Sequence, residues 1–194
     1  MKNAVYKTAD KRELLEKVFP CIVERGLENV TIRELCRETG FVQGTLYYWF
    51  KDKESIVYEA AKWGLKDVVD KLFRYVSENI GDLYGLFSNC LDEVDKYKKE
   101  IRFIYQMAAS PVYGDKIRKT IKVFNIICDK YSIRLSTILN CDMEELRQIV
   151  CLFISAVCNY IIWDDKETSQ MQLEYIYDML SQMMKPQLYQ QNAL

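Results

Sequence analysis

The chain has 194 residues, of which 28% are charged and 49% apolar, and its formal net charge is −1. This balance is typical of a globular protein and excludes a largely disordered chain. No uninterrupted apolar segment reaches the roughly 18 residues that cross a bilayer. The first residues also lack an apolar signal core, so we expect a cytoplasmic protein with no membrane partner.

Motifs for catalysis and metal binding are missing from the sequence. There is no histidine, the commonest general base, and none of the seven cysteines forms a CxxC pair. Phosphate-binding glycine motifs and the GxSxG nucleophile motif are also missing. We therefore expect no catalytic residue, no metal site and no cofactor. The cysteines are interpreted as buried free thiols, with a redox switch as the alternative.

Apolar residues recur at helical spacing throughout, and glycine and proline are scarce, so the sequence predicts an all-α fold of about nine helices. Thr31 and Glu34 form a capping-box pattern at the start of the second helix, and Thr39-Gly40 ends it. Pro20 predicts a kink in the first helix. The predicted helices cover about residues 10–25, 32–39, 43–50, 53–79, 83–97, 99–109, 115–139, 143–163 and 168–184.

The second and third helices are short, and a glycine turn joins them. This arrangement, with polar and aromatic residues on the third helix, is typical of a helix-turn-helix. An ordinary helix pair in a bundle is the alternative. We predict a DNA-binding domain over residues 1–56 and a larger helical domain over residues 57–194. Because the net charge is near zero, a DNA site requires a local concentration of positive charge.

The last two helices carry apolar stripes, and the eighth is apolar nearly all round, which indicates that it is covered on more than one side. Two helices from each of two protomers would form a four-helix dimer interface. A monomeric core is the alternative. The predicted interface residues are Ile149, Val150, Phe153, Val157, Ile161, Leu173, Ile176, Leu180 and Met183.

The segment from Gly26 to Glu54 resembles the signature of the tetracycline-repressor (TetR) family of bacterial transcriptional regulators. The resemblance covers about residues 10–60. The matching positions are Gly26, Thr31, Leu35, Gly40, Gly44, Leu46, Tyr47, Phe50, Lys53 and Glu54. The resemblance implies that the third helix enters the major groove of a double-stranded DNA operator.

Particular DNA contacts follow from these matches. Gln43 would recognise adenine through its side-chain amide, and Arg33 would reach guanine. Thr45 offers a hydroxyl to phosphate or a methyl to thymine, and Gly44 lets the backbone approach the DNA. The predicted phosphate contacts come from Tyr47, Tyr48, Lys53 and the backbone amide of Thr31. Alternative roles are packing for Tyr47 and an ion pair with a neighbouring carboxylate for Arg33.

Two residues depart from the family pattern. Val42 stands where family members usually have serine or threonine, and Trp49 where they have histidine or tyrosine. Val42 cannot cap the third helix, a loss of about 0.5–2 kcal/mol. We expect it to contact a thymine methyl group instead. These departures affect the operator sequence and leave the mode of binding unchanged.

The resemblance also implies a homodimer whose larger domain binds a small-molecule effector that releases the DNA. A small apolar effector fits a domain rich in aromatic and methionine side chains. The predicted ligand-binding residues are Phe103, Met107, Tyr113, Phe124 and Tyr160. The leading hypothesis is therefore a ligand-responsive repressor. An activator and an all-helical ligand- or protein-binding module are the alternatives, and an enzyme is a distant third.

Overall fold

The structure, a computed structural model, describes residues 10–184, except for the side chains of residues 123–128, 130 and 131. Within this part of the chain every regular element is an α-helix, so the all-α prediction is confirmed. The helices are α1 Lys11–Arg25, α2 Ile32–Thr39, α3 Gln43–Trp49, α4 Lys53–Asn79, α5 Leu83–Asp95, α6 Lys98–Ala109, α7 Gly114–Leu139, α8 Met143–Trp163 and α9 Lys166–Met184. Pro20 lies on an exposed side of α1, which continues to Arg25.

The chain divides into two compact units. The first contains the described residues up to Asp70 together with Lys99–Thr120, and the second contains Lys71–Lys98 and the described residues from Ile121 onward. This division differs from the predicted boundary at residue 56, because most of α4, nearly all of α6 and the start of α7 group with the first three helices.

An aromatic cluster in the first unit explains this grouping. The ring of Phe19 on α1 lies 6.1 Å from that of Trp63 on α4 and 6.2 Å from that of Phe103 on α6. Gly64 provides the space for the Phe19 ring, since a Cβ atom at Gly64 would lie 2.2 Å from it. The hydroxyl groups of Tyr58 on α4 and Thr120 on α7 add a hydrogen bond of 3.0 Å.

In the second unit, α8 packs against both α9 and α5. The Phe87 ring of α5 contacts Phe153 of α8 and Tyr177 of α9, at centroid distances of 5.2 and 5.7 Å. Tyr160 of α8 donates a hydrogen bond of 2.6 Å to Asp95. These contacts bury one side of α8.

Most of the predicted dimer-interface residues are already buried within a single chain. Ile149, Val157, Ile161, Leu173, Ile176 and Leu180 are all at most 8% exposed in a single protomer. Val150, Phe153 and Met183 are half-buried. The same periodic spacing suits a stripe that packs on its own chain, which is what these helices do. The large apolar residues left exposed on α8 and α9 are Met143, Leu152, Ile154, Ile162, Trp163, Met171 and Tyr175.

Among the described residues, α8 is the one helix long and apolar enough to cross a membrane, with a mean hydropathy of 1.6 over its most apolar window. Uncharged polar residues such as Ser155 and Asn159 interrupt the apolar segment of α8, so a search for uninterrupted apolar segments does not find this helix. These residues lower its mean hydropathy only modestly. One third of the window (33%) is buried within the protein. The exposed apolar side chains of α8 are thus left uncovered by the described residues.

Candidate nucleic-acid interface

The predicted capping box at the start of α2 is formed. The Thr31 hydroxyl accepts a hydrogen bond from the Glu34 amide at 3.2 Å, and the Thr31 amide donates to Glu34 Oε2 at 3.1 Å. The side-chain hydrogen bond from Thr31 holds the pKa of Glu34 below its ordinary value. The Thr31 amide, predicted to donate to a phosphate, is thus already satisfied within the protein. Thr31 fixes the start of the helix instead.

Arg25, the last residue of α1, holds α2 in place. Its guanidinium donates to Glu34 Oε1 and to Glu38 Oε1, each at 2.8 Å. Gly40 then ends α2 with φ +74°, a left-handed conformation that is costly for residues with a side chain. The cap and the left-handed turn together set the angle at which the chain enters α3.

α3 is anchored on one side and open on the other. Leu46 is fully buried and Phe50, which follows the helix, is 4% exposed. On the opposite side Gln43 and Gly44 are exposed, Tyr47 is 44% exposed and Tyr48 is 70% exposed. A seven-residue helix with two buried anchors therefore presents a polar and aromatic surface to solvent.

The other predicted DNA contacts lie around this surface. Val42, directly before α3, is 50% exposed and its side chain makes no capping hydrogen bond. Thr45 is half-buried, and so is Lys53, the first residue of α4. Trp49 is 37% exposed and its ring lies edge-on to Tyr48 at 5.0 Å. The exposed part of Tyr47 argues against a purely packing role for that residue.

Positive charge is available at the same end of the first unit. Arg33 is exposed and forms no ion pair within the described residues, since the neighbouring Glu34 binds Arg25 and Arg37 binds Glu38. The alternative of an ion pair for Arg33 is thus not realised in the structure. Lys51 is exposed and likewise unpaired in this part of the chain. Lys51 is not among the predicted DNA contacts, although its position between Phe50 and Asp52 was a usable signal.

The start of α4 completes the surface. Asp52 Oδ1 accepts a hydrogen bond of 2.8 Å from the Ser55 amide, and this bond holds the pKa of Asp52 below its ordinary value. Lys53 follows the cap directly. Its ammonium group forms no ion pair within the described side chains, so a phosphate oxygen would not have to displace a carboxylate from it.

The predicted ligand-binding residues are divided between the two units. Phe103, Met107 and Tyr113 are buried in the first unit, where the Phe103 ring contacts Phe19. Tyr160 belongs to the second unit and is held by Asp95 and by Lys98, whose Nζ lies 3.7 Å from the ring centroid. The side chain of Phe124 lies outside the described residues.

Neither of two described cavities contains a predicted ligand-binding residue. One of about 50 Å³ in the second unit is lined by Phe73, Val76, Ser77, Ile80, Arg134, Leu135 and Ile138. An open groove of about 560 Å³ in the first unit is lined mostly by charged residues of α1 and α4. The smaller cavity is below the several hundred cubic ångströms that a drug-sized ligand occupies. Neither of these two cavities is therefore an apolar pocket of that size at the predicted residues.

Five of the six cysteines whose side chains are described are not buried, contrary to the sequence interpretation. Cys90 is the buried one, and burial raises the pKa of its thiol to about 12. Cys151 is exposed, and Cys21, Cys36, Cys141 and Cys158 are half-buried. None of these six forms a disulfide bond within the described residues.

Two short helices in a fixed orientation, with exposed hydrogen-bonding side chains on the second, define a helix-turn-helix DNA-binding domain. The comparisons with known proteins agree. Residues 14–60 match the family model described as bacterial regulatory proteins, tetR family. The DNA-binding domain of this chain is therefore similar to that of TetR-family transcriptional regulators, in agreement with the sequence resemblance.

Two curated relatives are similar to this chain. The transcriptional repressor KstR2 of Mycolicibacterium smegmatis is 32% identical over 101 residues, which cover 48% of this chain and 47% of that protein. The transcriptional repressor AcnR of Corynebacterium glutamicum is 26% identical over 143 residues, covering 72% of this chain and 70% of that protein. The first alignment thus spans about half the length of the relative.

Solved structures show the same fold over most of the chain. A transcriptional regulator from Rhodococcus sp. Rha1 superposes with a TM-score of 0.59 at 19% identity, covering 89% of this chain and 97% of that one. A TetR transcription regulator from Haloarcula marismortui superposes with a TM-score of 0.55 at 15% identity, covering 89% and 94%. At these identities the likeness concerns the fold.

Proposed function

We propose that this chain is a cytoplasmic homodimeric repressor of the TetR family that binds an operator through α3 and is released by a small apolar effector. The observation that carries the proposal is the exposed side of α3, formed by Gln43, Gly44 and Tyr48. The cations Arg33 and Lys53 on the adjoining helices form no ion pair within the described residues. Such a surface matches the major groove of DNA. The Gln43 amide can bind a base edge there, and the cations can bind phosphates. The repressor names of KstR2 and AcnR favour repression over activation.

The dimer is supported by the apolar half of α8 that remains exposed in one protomer. Leu152, Ile154 and Ile162 are each 40–45% exposed on this helix. Large contiguous apolar surfaces on a soluble protein mark sites of association. A two-fold contact between copies of α8 and α9 would cover this half and would place two recognition helices on one duplex.

A charge on this half of α8 tests the dimer. We expect Ile154→Glu to convert the protein to a monomer in sedimentation velocity, because the charge would be buried against a second copy. Val112→Glu is the matched control, since Val112 is 61% exposed and lies between α6 and α7. Dimers of equal stability in both variants would contradict the proposed interface.

Release by an effector is a shift of population between two conformations of the dimer. Residues of α4 occur in both units, so this helix is the proposed connection between effector site and DNA surface. The small cavity beside Phe73 and Leu135 would have to enlarge to hold a ligand. A ligand that lowers operator affinity without denaturing the dimer would support this step.

Specific DNA binding is the decisive experiment. Duplexes are selected from a random-sequence library with the full-length protein, and binding is measured by fluorescence anisotropy at several salt concentrations. We expect at least ~10³-fold preference over unselected DNA and a steep loss of affinity with salt. Failure to enrich any duplex would overturn the proposal in favour of a helical module that keeps the fold without binding DNA.

Variants separate base recognition from charge. We expect Gln43→Ala to relax sequence preference, and Lys53→Ala to weaken all duplexes alike and to reduce the salt slope by about one. Lys62→Ala is the matched control, because Lys62 is an exposed lysine further along α4 with no ion pair within the described residues. An equal effect of the Lys53 and Lys62 variants would show that only net charge matters.

A further inference from the structure

The first turns of α7 lie against the first turns of α4, and both belong to the first unit. The Tyr58 hydroxyl of α4 is 3.0 Å from the Thr120 hydroxyl of α7, and Lys116 Nζ lies 5.8 Å from the centroid of the Tyr58 ring. Burial raises the pKa of Tyr113, directly before α7, and the nearby carboxylate of Glu54 raises it further. The start of α7 is therefore held beside the beginning of α4.

Lys116 brings a positive charge to this place. Its side chain is exposed and forms no ion pair within the described residues. The pKa of Asp52, the residue before α4, lies below its ordinary value chiefly because of the hydrogen bonds from Ser55, and to a smaller extent because of the charges of Lys51 and Lys116. Lys116 thus lies within electrostatic range of the start of α4, although it is far from Asp52 in the sequence.

Cations outnumber carboxylates around the start of α4. Lys51, Lys53 and Lys116 have no ion-pair partner among the described side chains, and the carboxylates beside them are Asp52 and Glu54. Asp52 already accepts a hydrogen bond of 2.8 Å from a backbone amide of α4. The net charge of the chain is −1, so this local excess of positive charge favours a polyanionic partner at this particular place.

The other cations on the first two turns of α7 are placed differently. Arg118 donates a hydrogen bond of 2.7 Å to the carbonyl oxygen of Ala108 and pairs with Asp115. Lys119 is exposed, and no hydrogen bond, ion pair or ring contact within the described residues joins it to α4. Lys116 is thus the cation of these turns that combines a position beside α4 with an ammonium group free of carboxylates in the described part of the chain.

We propose that Lys116 binds a phosphate of the operator backbone, next to the phosphate proposed for Lys53, so that the DNA-binding surface extends beyond the helix-turn-helix to α7. The inference rests on the proposed function, since it requires that the start of α4 approaches the backbone. Phosphates follow one another at roughly 3.4 Å of helix axis along each strand, so a cation beside Lys53 meets a neighbouring phosphate. The contact strengthens binding to every sequence and carries no base preference.

Salt dependence measures the contact. Lys116→Gln removes the charge and keeps an apolar stem beside the Tyr58 ring. With a duplex selected by the full-length protein, the slope of log affinity against log salt should become shallower by about 0.9 for each protomer that contacts the duplex. The difference in affinity between wild type and variant should therefore shrink by about 3.5-fold per protomer between 50 and 200 mM salt. Lys116→Arg should keep the wild-type slope.

Lys119→Gln is the matched control, because it removes an equal charge about one turn further along the same helix. This variant should keep the wild-type slope. Equal changes of slope in Lys116→Gln and Lys119→Gln would show that only the net charge of the protein matters, and would overturn the proposed contact.

Neutral phosphates separate a direct contact from a structural role of Lys116. The selected duplex is resynthesised with a methylphosphonate in place of one phosphate at a time. We expect one position in each half-site at which this change weakens binding by wild type but not by Lys116→Gln, and a neighbouring position that behaves in this way with Lys53→Gln. If every neutral phosphate costs wild type and Lys116→Gln the same affinity, Lys116 contacts no phosphate and the inference is wrong.

Failure of this contact and failure of the proposed function give different results. Specific binding with an unchanged salt slope in Lys116→Gln would overturn the role of Lys116 and leave operator binding intact. If no duplex can be selected, the proposed function fails and the inference fails with it.

Discussion

Replacing Gly44 by alanine should change stability and DNA binding in opposite directions. The added methyl group meets open space in the free protein, and Gly44 does not require a positive φ. Alanine reduces the entropy of the unfolded chain and favours helix, so we expect the free energy of unfolding to rise by about 0.4–1 kcal/mol. For a chain of this size that gain raises Tm by about 1–4 °C.

The same methyl group lies on the surface that is proposed to meet DNA. If it separates α3 from the groove, at least one base contact of about 1–3 kcal/mol is lost, which corresponds to a weakening of roughly 5- to 150-fold. Thermal unfolding followed by circular dichroism measures the first effect, and fluorescence anisotropy with a selected duplex measures the second.

Two other glycines provide the controls. Gly81 also has open space around it and no positive φ, but lies in the second unit, so Gly81→Ala should leave DNA affinity unchanged. Gly40 has φ +74°, so Gly40→Ala should destabilise the protein by about 1–2 kcal/mol. Equal affinity of Gly44→Ala and wild type for the duplex, or a lower Tm of the variant, would refute these expectations.

Three further predictions concern stability and reactivity. Gly64→Ala should lower the free energy of unfolding by about 1–3 kcal/mol in urea denaturation, because its methyl group would overlap the Phe19 ring. Adding Phe19→Leu to the same chain should recover part of this loss. The lowered pKa of Glu34 adds stability that is present above the ordinary value of 4.5 and is lost as pH falls through the lower value of the folded protein. In unfolding scans between about pH 5 and 3, acid should therefore destabilise wild type more than Glu34→Gln. Parallel curves for the two proteins would contradict this expectation. The pKa of the Cys90 thiol is raised to about 12, so this thiol should resist alkylation at pH 8 until the protein unfolds. Mass spectrometry follows the alkylation. Rapid labelling of the native protein would show that the thiol is accessible and would contradict this expectation.

The helix-turn-helix could be predicted closely because its signals are local. The Thr31–Glu34 capping box and the left-handed Gly40 each involve residues within one turn of helix, so the sequence carries the whole interaction. For the same reason the helix bounds agree within a few residues: helices predicted over about 99–109 and 168–184 are observed at Lys98–Ala109 and Lys166–Met184. The exposed side of α3 followed from the same local information.

The tertiary structure decided which apolar faces are covered, and by what. Ile149 and Leu173 lie in apolar stripes, and the spacing of such a stripe is the same whether its cover comes from the same chain or from a second one. The packing of α8 against α9 and α5 buries both residues within the chain. Likewise, Phe103 and Tyr160 are similar as aromatic residues on middle helices, yet they belong to different units. Periodicity records that a face is buried, and only long-range contacts identify its partner.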